Sequence, residues 1–316
     1  MVVVHQLAEL AECKHPLHIA IGMFDGVHIG HQAVIETCQK SARNTKGKAA
    51  VLTFWPHPSH FFKPEDPVPQ IMTLKSKLWT LWHRGLDYTI VHPFNESIAS
   101  IEAEDFVKYL KESVPTLHTL YVGENFRFGK GRSGDINLLG KISNDQGIDL
   151  VSMQPCNYNA ERISSTRIRD LLKEGRFNDT RQLLGHPYTA IGEIESGRGV
   201  GRTIGYPTLN LDWSPQLRPP YGVYAVRVFS YQLDGSDSKT LKGVANYGIR
   251  PTYKLSDDPV LEVHMFGDPL WDSGERVAVE LIEFIRPEKA FKSPQTLIRQ
   301  IDRDVESAKK ALKSRS

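Results

Sequence analysis

An apolar run, Leu17 to Ile21, stops at Gly22, and the chain then reads Met23-Phe24-Asp25-Gly26-Val27-His28-Ile29-Gly30-His31. Helical character follows from His31 to about Lys40. The order is buried strand, glycine-rich turn and helix N-terminus. At such a junction free backbone N–H groups and the positive end of the helix dipole face outward, which suits an anion. Glycines let a ligand approach the backbone closely, and the imidazoles of His28 and His31 add donors for phosphate oxygens. Two surface histidines after an ordinary βα turn are the plainer alternative. Gly22, Gly26 and Gly30 around them favour phosphate.

The same alternation recurs downstream. Ala49–Phe54 is a continuous apolar run of the kind a buried parallel strand shows. It ends at Trp55-Pro56-His57-Pro58, where two prolines forbid a strand or helix interior. That loop sits at the carboxyl end of a strand, where open α/β sheets place ligands, although a merely rigid loop would read the same way. Leu74–Gly85 is helical in pattern, Tyr88–Val91 a strand, Ala103–Lys111 a helix and Leu120–Val122 a strand. The next segment, Gly123-Glu124-Asn125-Phe126-Arg127-Phe128-Gly129-Lys130-Gly131-Arg132-Ser133-Gly134, mixes glycine, aromatics and arginine. Arginine forks onto phosphates and phenylalanine stacks on planar rings. Asn125 is the candidate for substrate contact here, and one of Phe126 and Phe128 is expected in the core. Asp149–Val151 is a further short strand, ahead of Arg162-Ile163-Ser164-Ser165-Thr166-Arg167-Ile168-Arg169. Capping a helix needs one hydroxyl; three, with Arg162 and Arg169, point to a second anion site. Strands alternating with helices predict a doubly wound parallel sheet, above which the two anion sites can converge.

A chain of 316 residues exceeds one average domain. Gly185-His186-Pro187 breaks the βα pattern, and short strands with tight turns follow, so residues 1–185 and 186–316 read as separate domains. After a strand at Tyr188–Ile194 comes Ser196-Gly197-Arg198-Gly199-Val200-Gly201-Arg202-Thr203-Ile204-Gly205-Tyr206-Pro207-Thr208-Leu209-Asn210. This glycine-rich loop lacks the Gly-Lys-Ser/Thr ending of a Walker loop. Gly197, Gly201, Arg202, Gly205 and Pro207 suit nucleotide phosphates. In extended chain, residues two apart share a side, so Thr208 and Asn210 would present two oxygens to Mg2+. Strands at Gly222–Val228, from Gly243 and at Leu261–Phe266 alternate like those of a barrel, with Glu262 and His264 on one face. A final helix begins at Ser293-Pro294 and carries Leu297, Ile301, Val305, Ala308 and Leu312 as one apolar stripe.

These segments carry a family resemblance. Gly-x-Phe-Asp-Gly-x-His-x-Gly-His, spanning Gly22 to His31, resembles the nucleotide-binding signature of the bacterial bifunctional riboflavin kinase/FAD synthetases. Trp55-Pro56-His57-Pro58, Val122–Gly129 and Ile163–Arg169 are similar to later segments of the same nucleotidyltransferase half. The run Gly201–Asn210 resembles the riboflavin kinase signature Gly-Arg-x-x-Gly-x-Pro-Thr-x-Asn, and Glu262-Val263-His264 its Glu-x-His. The sequence departs from the family at Trp55, usually Glu, and after Phe266, where Gly267-Asp268-Pro269-Leu270-Trp271-Asp272 replaces Asp-Phe-x-Gly-Asp-Leu-Tyr-Gly.

The resemblance implies a nucleotidyltransferase domain followed by a riboflavin kinase-like β-barrel with a C-terminal helix. It implies two steps, ATP-dependent phosphorylation of riboflavin to FMN and adenylylation of FMN to FAD, with Mg2+. Glu262 would be the base that prepares the ribityl hydroxyl. His28 and His31 would hold ATP phosphates together with Gly22, Phe24, Asp25, Gly26, Gly30, Arg162, Ser164, Ser165, Thr166 and Arg169. Asn125, Phe126, Phe128, Pro56, His57 and Pro58 would contact the flavin substrate. Two other readings stay open, an N-terminal half that only binds flavin or nucleotide and regulates a kinase, or one that adenylylates a different acceptor.

Three widely spaced cysteines suggest neither a disulfide framework nor a zinc site and fit a reducing cytoplasm. A net charge of +2 gives no reason to expect nucleic acid or anionic membrane as partner. No apolar run approaches the ~20 residues that span a bilayer, and the first residues lack a signal-peptide layout.

Overall fold

The structure is a computed structural model that describes residues 1–195, 205–231, 240–249, 259–267 and 270–313. It divides into two compact units, Met1–Gln70 with Lys77–Ser164, and Ile71–Ser76 with Ser165–Ser316.

The first unit carries strands β1 Val2–Val4, β2 Leu17–Ile21, β3 Lys48–Phe54, β4 Tyr88–His92, β5 Leu117–Gly123 and β6 Asp149–Met153. They form one six-stranded sheet in the order β1-β4-β3-β2-β5-β6, and each neighbouring pair is parallel. Parallel strands need crossovers. Helices among these are α1 Ile29–Asn44, α5 Phe106–Ser113 and α6 Ile136–Asp145, with the short α2 Pro58–Phe62 and α4 Glu96–Ala99; of the helix α3 Leu74–Trp82, the part from Lys77 onward belongs here. Every residue of β2 is buried, as a central strand covered on both faces requires. Leu17, Ile19, Leu52, Ile90, Leu120 and Val122 join Val107 and Leu110 of α5 in one core.

Strand order reverses direction beside β2: β3 lies on one side and β5 on the other. The crevice at the carboxyl ends of such a pair is where doubly wound sheets bind ligands. The Gly22–His28 turn leaves β2 and the Glu124–Phe128 segment leaves β5, so the two richest motifs flank that crevice.

Three details differ from the sequence-based expectation. Helix α1 starts earlier and runs longer than His31–Lys40. The helix expected from Ala103 is a 3-10 turn, Ala103–Asp105, followed by α5. Val2–Val4 forms an edge strand on Tyr88–Ile90, a pairing invisible in three valines without their partner.

In the second unit α7 Ser165–Lys173 and α8 Phe177–Leu184 precede a closed barrel. Its strands are β9 Tyr188–Glu195, β10 Leu209–Leu211, β11 Gly222–Ser230, β12 Thr240–Gly248, β13 Val260–Met265 and β14 Arg276–Pro287, in the order β10-β13-β12-β11-β14-β9. (A small hairpin, Asn157–Tyr158 with Glu161–Arg162, lies in the first unit.) All barrel pairs are antiparallel. Alternate residues such as Tyr224, Val226, Tyr247, Leu261 and Val263 are fully or nearly fully buried and fill the barrel.

The opposite face, at Val223, Ala225 and Val244, packs against Ala308, Ala311 and Leu312 of the final helix, α9 Pro294–Lys313. Ser293 Oγ accepts from the Thr296 N–H at 3.3 Å, as an N-cap should. Arg286 of β14 forks onto Asp304 of α9, with Nε to Oδ1 at 2.9 Å and Nη2 to Oδ2 at 2.6 Å. Their side chains are 13% and 5% exposed. Removing one member of a buried pair strands the other charge, at a cost of about 3–5 kcal/mol. Asp304→Ala should therefore release α9 and lower the denaturant midpoint of the barrel unit, read by urea titration of the full chain.

Candidate active sites

His28 is the N-cap of α1. Its Nδ1 accepts from the His31 backbone N–H at 3.3 Å, which leaves the ring proton of the neutral imidazole on Nε2. The two rings stack with centroids 3.6 Å apart and planes 13° from parallel. Two imidazolium ions at that separation would repel. Burial, then the neighbouring His28, then Lys77 hold the His31 pKa well below its usual value. His31 is therefore neutral near pH 7 and acts by hydrogen bonding rather than by charge. Its Nδ1 is buried and has no hydrogen-bond partner among the described residues. Buried polar atoms are nearly always paired, so this one stands out at the start of α1.

The turn itself is wound tightly. Phe24 at φ 48 and Val27 at φ 41 stand in the left-handed region on either side of Gly26 at φ 84. For a β-branched residue that conformation is an outlier costing of order 1–3 kcal/mol. It is held by packing: Phe24 is 1% and Val27 0% exposed, and the Phe24 ring lies edge-on to His31 at 5.2 Å. The Phe24 side chain, expected among the phosphate contacts, is therefore buried against His31. Asp25 is equally buried, at 1%.

Across the crevice Asn125 and Arg162 meet. With the amide oxygen facing the guanidinium, Asn125 accepts from the two terminal nitrogens of Arg162 at 3.1 and 2.7 Å. Residues from two separate motifs thus form one polar cluster. Phe126 and Phe128 divide as expected: Phe128 is in the core, 5% exposed and wedged over Gly134, where a Cβ would come within 2.6 Å of the ring. It is a core residue and not a substrate platform. Phe126 is half-buried beside it.

The Pro56-His57-Pro58 loop is a helix entry. His57 caps α2 by accepting from the Ser59 N–H at 3.1 Å, and Pro58 is the first helical residue. What this entry places at the carboxyl ends of β3 and β4 is an aromatic cluster that the motif reading passed over. Phe61 and Phe62 are 43% and 56% exposed, and their rings lie 6.0 and 5.7 Å from Phe94, which in turn contacts Phe54. These exposed aromatics gather at the carboxyl end of the sheet, the end where doubly wound sheets place ligands. Two adjacent phenylalanines after a Pro-His-Pro turn were the available signal.

Ser164 closes the first unit, and Ser165, Thr166 and Arg169 open α7 in the second. Thr166 is exposed, and Ser164, Ser165 and Arg169 are half-buried.

In the barrel, register builds the second site. Asn210 of β10 pairs with Glu262 of β13, and Glu262 pairs with Asn246 of β12. Directly opposed residues on antiparallel strands share a face, so these three side chains form one polar row. Leu261, Val263 and Met265 alternate with them as buried residues, which confirms that Glu262 and His264 share the other face. Asn246 was not singled out by motif. Asn210 is buried, at 4% exposure, while Thr208 is exposed. Thr208 precedes the strand, so the pair does not sit equally open to solvent as the spacing suggests. Gly205 has φ 84, a conformation that favours glycine. The approach to Thr208 is tethered twice: His264 Nδ1 and the Pro207 carbonyl are 2.9 Å apart, and the Tyr206 hydroxyl donates to Asp302 of α9. Gly197, Gly201 and Arg202 lie outside the described residues.

Residues 10–167 match the family model for FAD synthetase and residues 184–312 that for riboflavin kinase. A bifunctional riboflavin kinase/FMN adenylyltransferase of Escherichia coli strain K12 is 37% identical over 286 residues, covering 90% of each chain. The chain belongs to the bifunctional riboflavin kinase/FMN adenylyltransferase family. Members from Haemophilus influenzae and from Buchnera aphidicola subsp. Schizaphis graminum are 35% and 33% identical over 291 and 294 residues, each covering 92% of this chain and 92% and 93% of their own. A crystal structure described as a macrolide-efflux protein from Streptococcus pneumoniae has a TM-score of 0.81 at 24% identity, covering 96% of each chain, and shares the fold. The segment after Phe266, where the sequence differs from the signature it otherwise resembles, holds a buried tryptophan. Trp271 is 6% exposed and donates from Nε1 to Ser230 Oγ at 2.9 Å.

Proposed function

We propose that the chain makes FAD from riboflavin in two ATP-dependent steps, one in each half, with the functional boundary near Gly185. The barrel half transfers the γ-phosphoryl group of ATP to riboflavin and gives FMN. The N-terminal half joins an FMN phosphate oxygen to the α-phosphorus of a second ATP and breaks the bond to pyrophosphate, which leaves with FAD.

The observation that carries the reading is the placement of Glu262 opposite Asn210 on one barrel face. An alcohol is a poor nucleophile until its proton is accepted. Glu262 takes the proton of the ribityl hydroxyl, while Asn210 and Thr208 stand beside it with oxygen donors. That donor set fits Mg2+, which prefers oxygen and binds through few protein groups and substrate phosphates; no group of three His, Cys, Asp or Glu among the described residues could hold a metal alone. Mg2+, when bound, neutralises charge building on the phosphates. Gly197, Gly201, Arg202, Gly205 and Pro207 make up the rest of the ATP loop.

In the N-terminal half no covalent intermediate is required. His28 and His31 hydrogen-bond to phosphate oxygens at the positive end of α1. Gly22, Gly26 and Gly30 allow close approach. Ser164, Ser165, Thr166 and Arg169 hold the remaining phosphates. Arg162, held by Asn125, joins them on the ATP phosphates, and Asn125, Phe126, Pro56, His57 and Pro58 meet the flavin substrate. A cytoplasmic setting belongs to this reading, supported by Cys13, Cys38 and Cys156 being free thiols.

The test is a timed incubation with riboflavin, ATP and Mg2+, with flavins separated by chromatography. FMN should appear first and FAD after it. FMN without FAD, even when FMN is supplied, would make the N-terminal half a binding module instead. No phosphorylation would overturn the whole reading.

A further inference from the structure

Lys77 of α3 is fully buried, at 0% exposure. Its ammonium carries three donors. Among the described residues it makes one hydrogen bond, to the Met23 carbonyl at 2.9 Å, and lies 5.5 Å from the ring centroid of Trp55. The buried carboxylate of Asp25 attracts it electrostatically, and holding a charge this deep is costly even so. The carbonyl does not need it, because Thr53 Oγ1 already donates to Met23 O at 3.0 Å. A neutral side chain would fill the same volume and avoid that desolvation, but would leave the buried Asp25 without its positive neighbour. What only a cation supplies is positive charge directly beneath the turn that leads from Gly22 to His28.

We propose that Lys77 is a positioning residue for adenylyl transfer: its buried ammonium clamps the Met23 carbonyl and provides the fixed positive charge under the turn on which the nucleotide polyphosphate settles. This rests on the adenylyltransferase reading above. The titratable groups coupled to Lys77 are Asp25, from the turn, and His31, from α1, with His28 stacked on His31. Burial lowers the Lys77 pKa to about 8, against the opposing pull of Asp25. The charge is thus present below that pH and lost above it.

The KM for ATP in FAD formation by the full chain should therefore rise as pH passes about 8. Lys77→Met keeps the bulk and removes the charge. It should raise that KM about ten- to a hundredfold at pH 7 and abolish the alkaline rise, with riboflavin phosphorylation by the same polypeptide unchanged. The His31 imidazole, followed by NMR, should titrate at higher pH once its positive neighbour is gone. Lys77→Arg stays charged throughout and should restore affinity while shifting the rise out of range. A Lys77→Met enzyme with the native KM and an unmoved His31 titration would overturn the proposal and leave Lys77 as packing. If the variant loses both activities through misfolding, the wild-type pH profile decides: a flat KM between pH 7 and about 9 would equally overturn it. If the wild type forms no FAD from added FMN, the adenylyltransferase reading fails, and the His31 titration decides the Lys77 coupling by itself.

Discussion

Glu262→Gln should lower riboflavin phosphorylation by about 10²–10⁴-fold, the usual worth of a general base, while FMN supplied from outside is still converted to FAD. Glutamine keeps the length of the side chain and its place opposite Asn210, so the polar row and the barrel strand are preserved. What disappears is the ability to accept a proton from the ribityl hydroxyl. Chromatography of the flavins separates the outcomes: riboflavin should remain, and the added FMN should still turn over. Equal loss of both steps would mean that Glu262 does something other than serve the kinase. An unchanged rate would remove it from the mechanism.

His28→Asn should lower FAD formation from FMN by about 10²–10³-fold, the cost of removing one donor from a site of developing charge, and spare FMN formation. Asparagine is chosen because the native imidazole has two jobs. Nδ1 caps α1 by accepting the His31 N–H, and the proposed mechanism gives the imidazole a second role on the phosphate. Asparagine is among the best N-caps, so it keeps the first job and loses the second. His28→Ala loses both and should add about 0.5–2 kcal/mol of destabilisation. Thermal unfolding of the two variants therefore separates cap from catalyst. If His28→Asn keeps native adenylylation, the imidazole is only a cap.

The contrast between these two residues shows what a motif conveys. A histidine before a helical run in a glycine-rich setting signals both cap and anion site, because both depend on local backbone geometry. Glu262 is different. Its alternation with Leu261, Val263 and Met265 was readable, but its neighbours Asn210 and Asn246 are 52 and 16 residues away in the chain, as the register pairs Asn210↔Glu262 and Asn246↔Glu262 show.

The strand-turn-helix junction at Gly22–His31, the alternation that requires a parallel sheet and the change to barrel patterning after Gly185 are all legible in the order of residues. All are local: periodicity of apolar residues, glycine where φ is positive, prolines where strands must stop. Which polar groups are paired and which are buried emerges only from the packed fold. It put Phe128 in the core, set Asn125 against Arg162, gathered Phe61, Phe62 and Phe94, and tied Arg286 to Asp304. It also buried Lys77 beneath Met23, in a helix whose sequence reads as ordinary. The reason is physical: burial and long-range pairing are set by packing between distant segments, and the cost of an unpaired charge or donor exists only once water has been excluded.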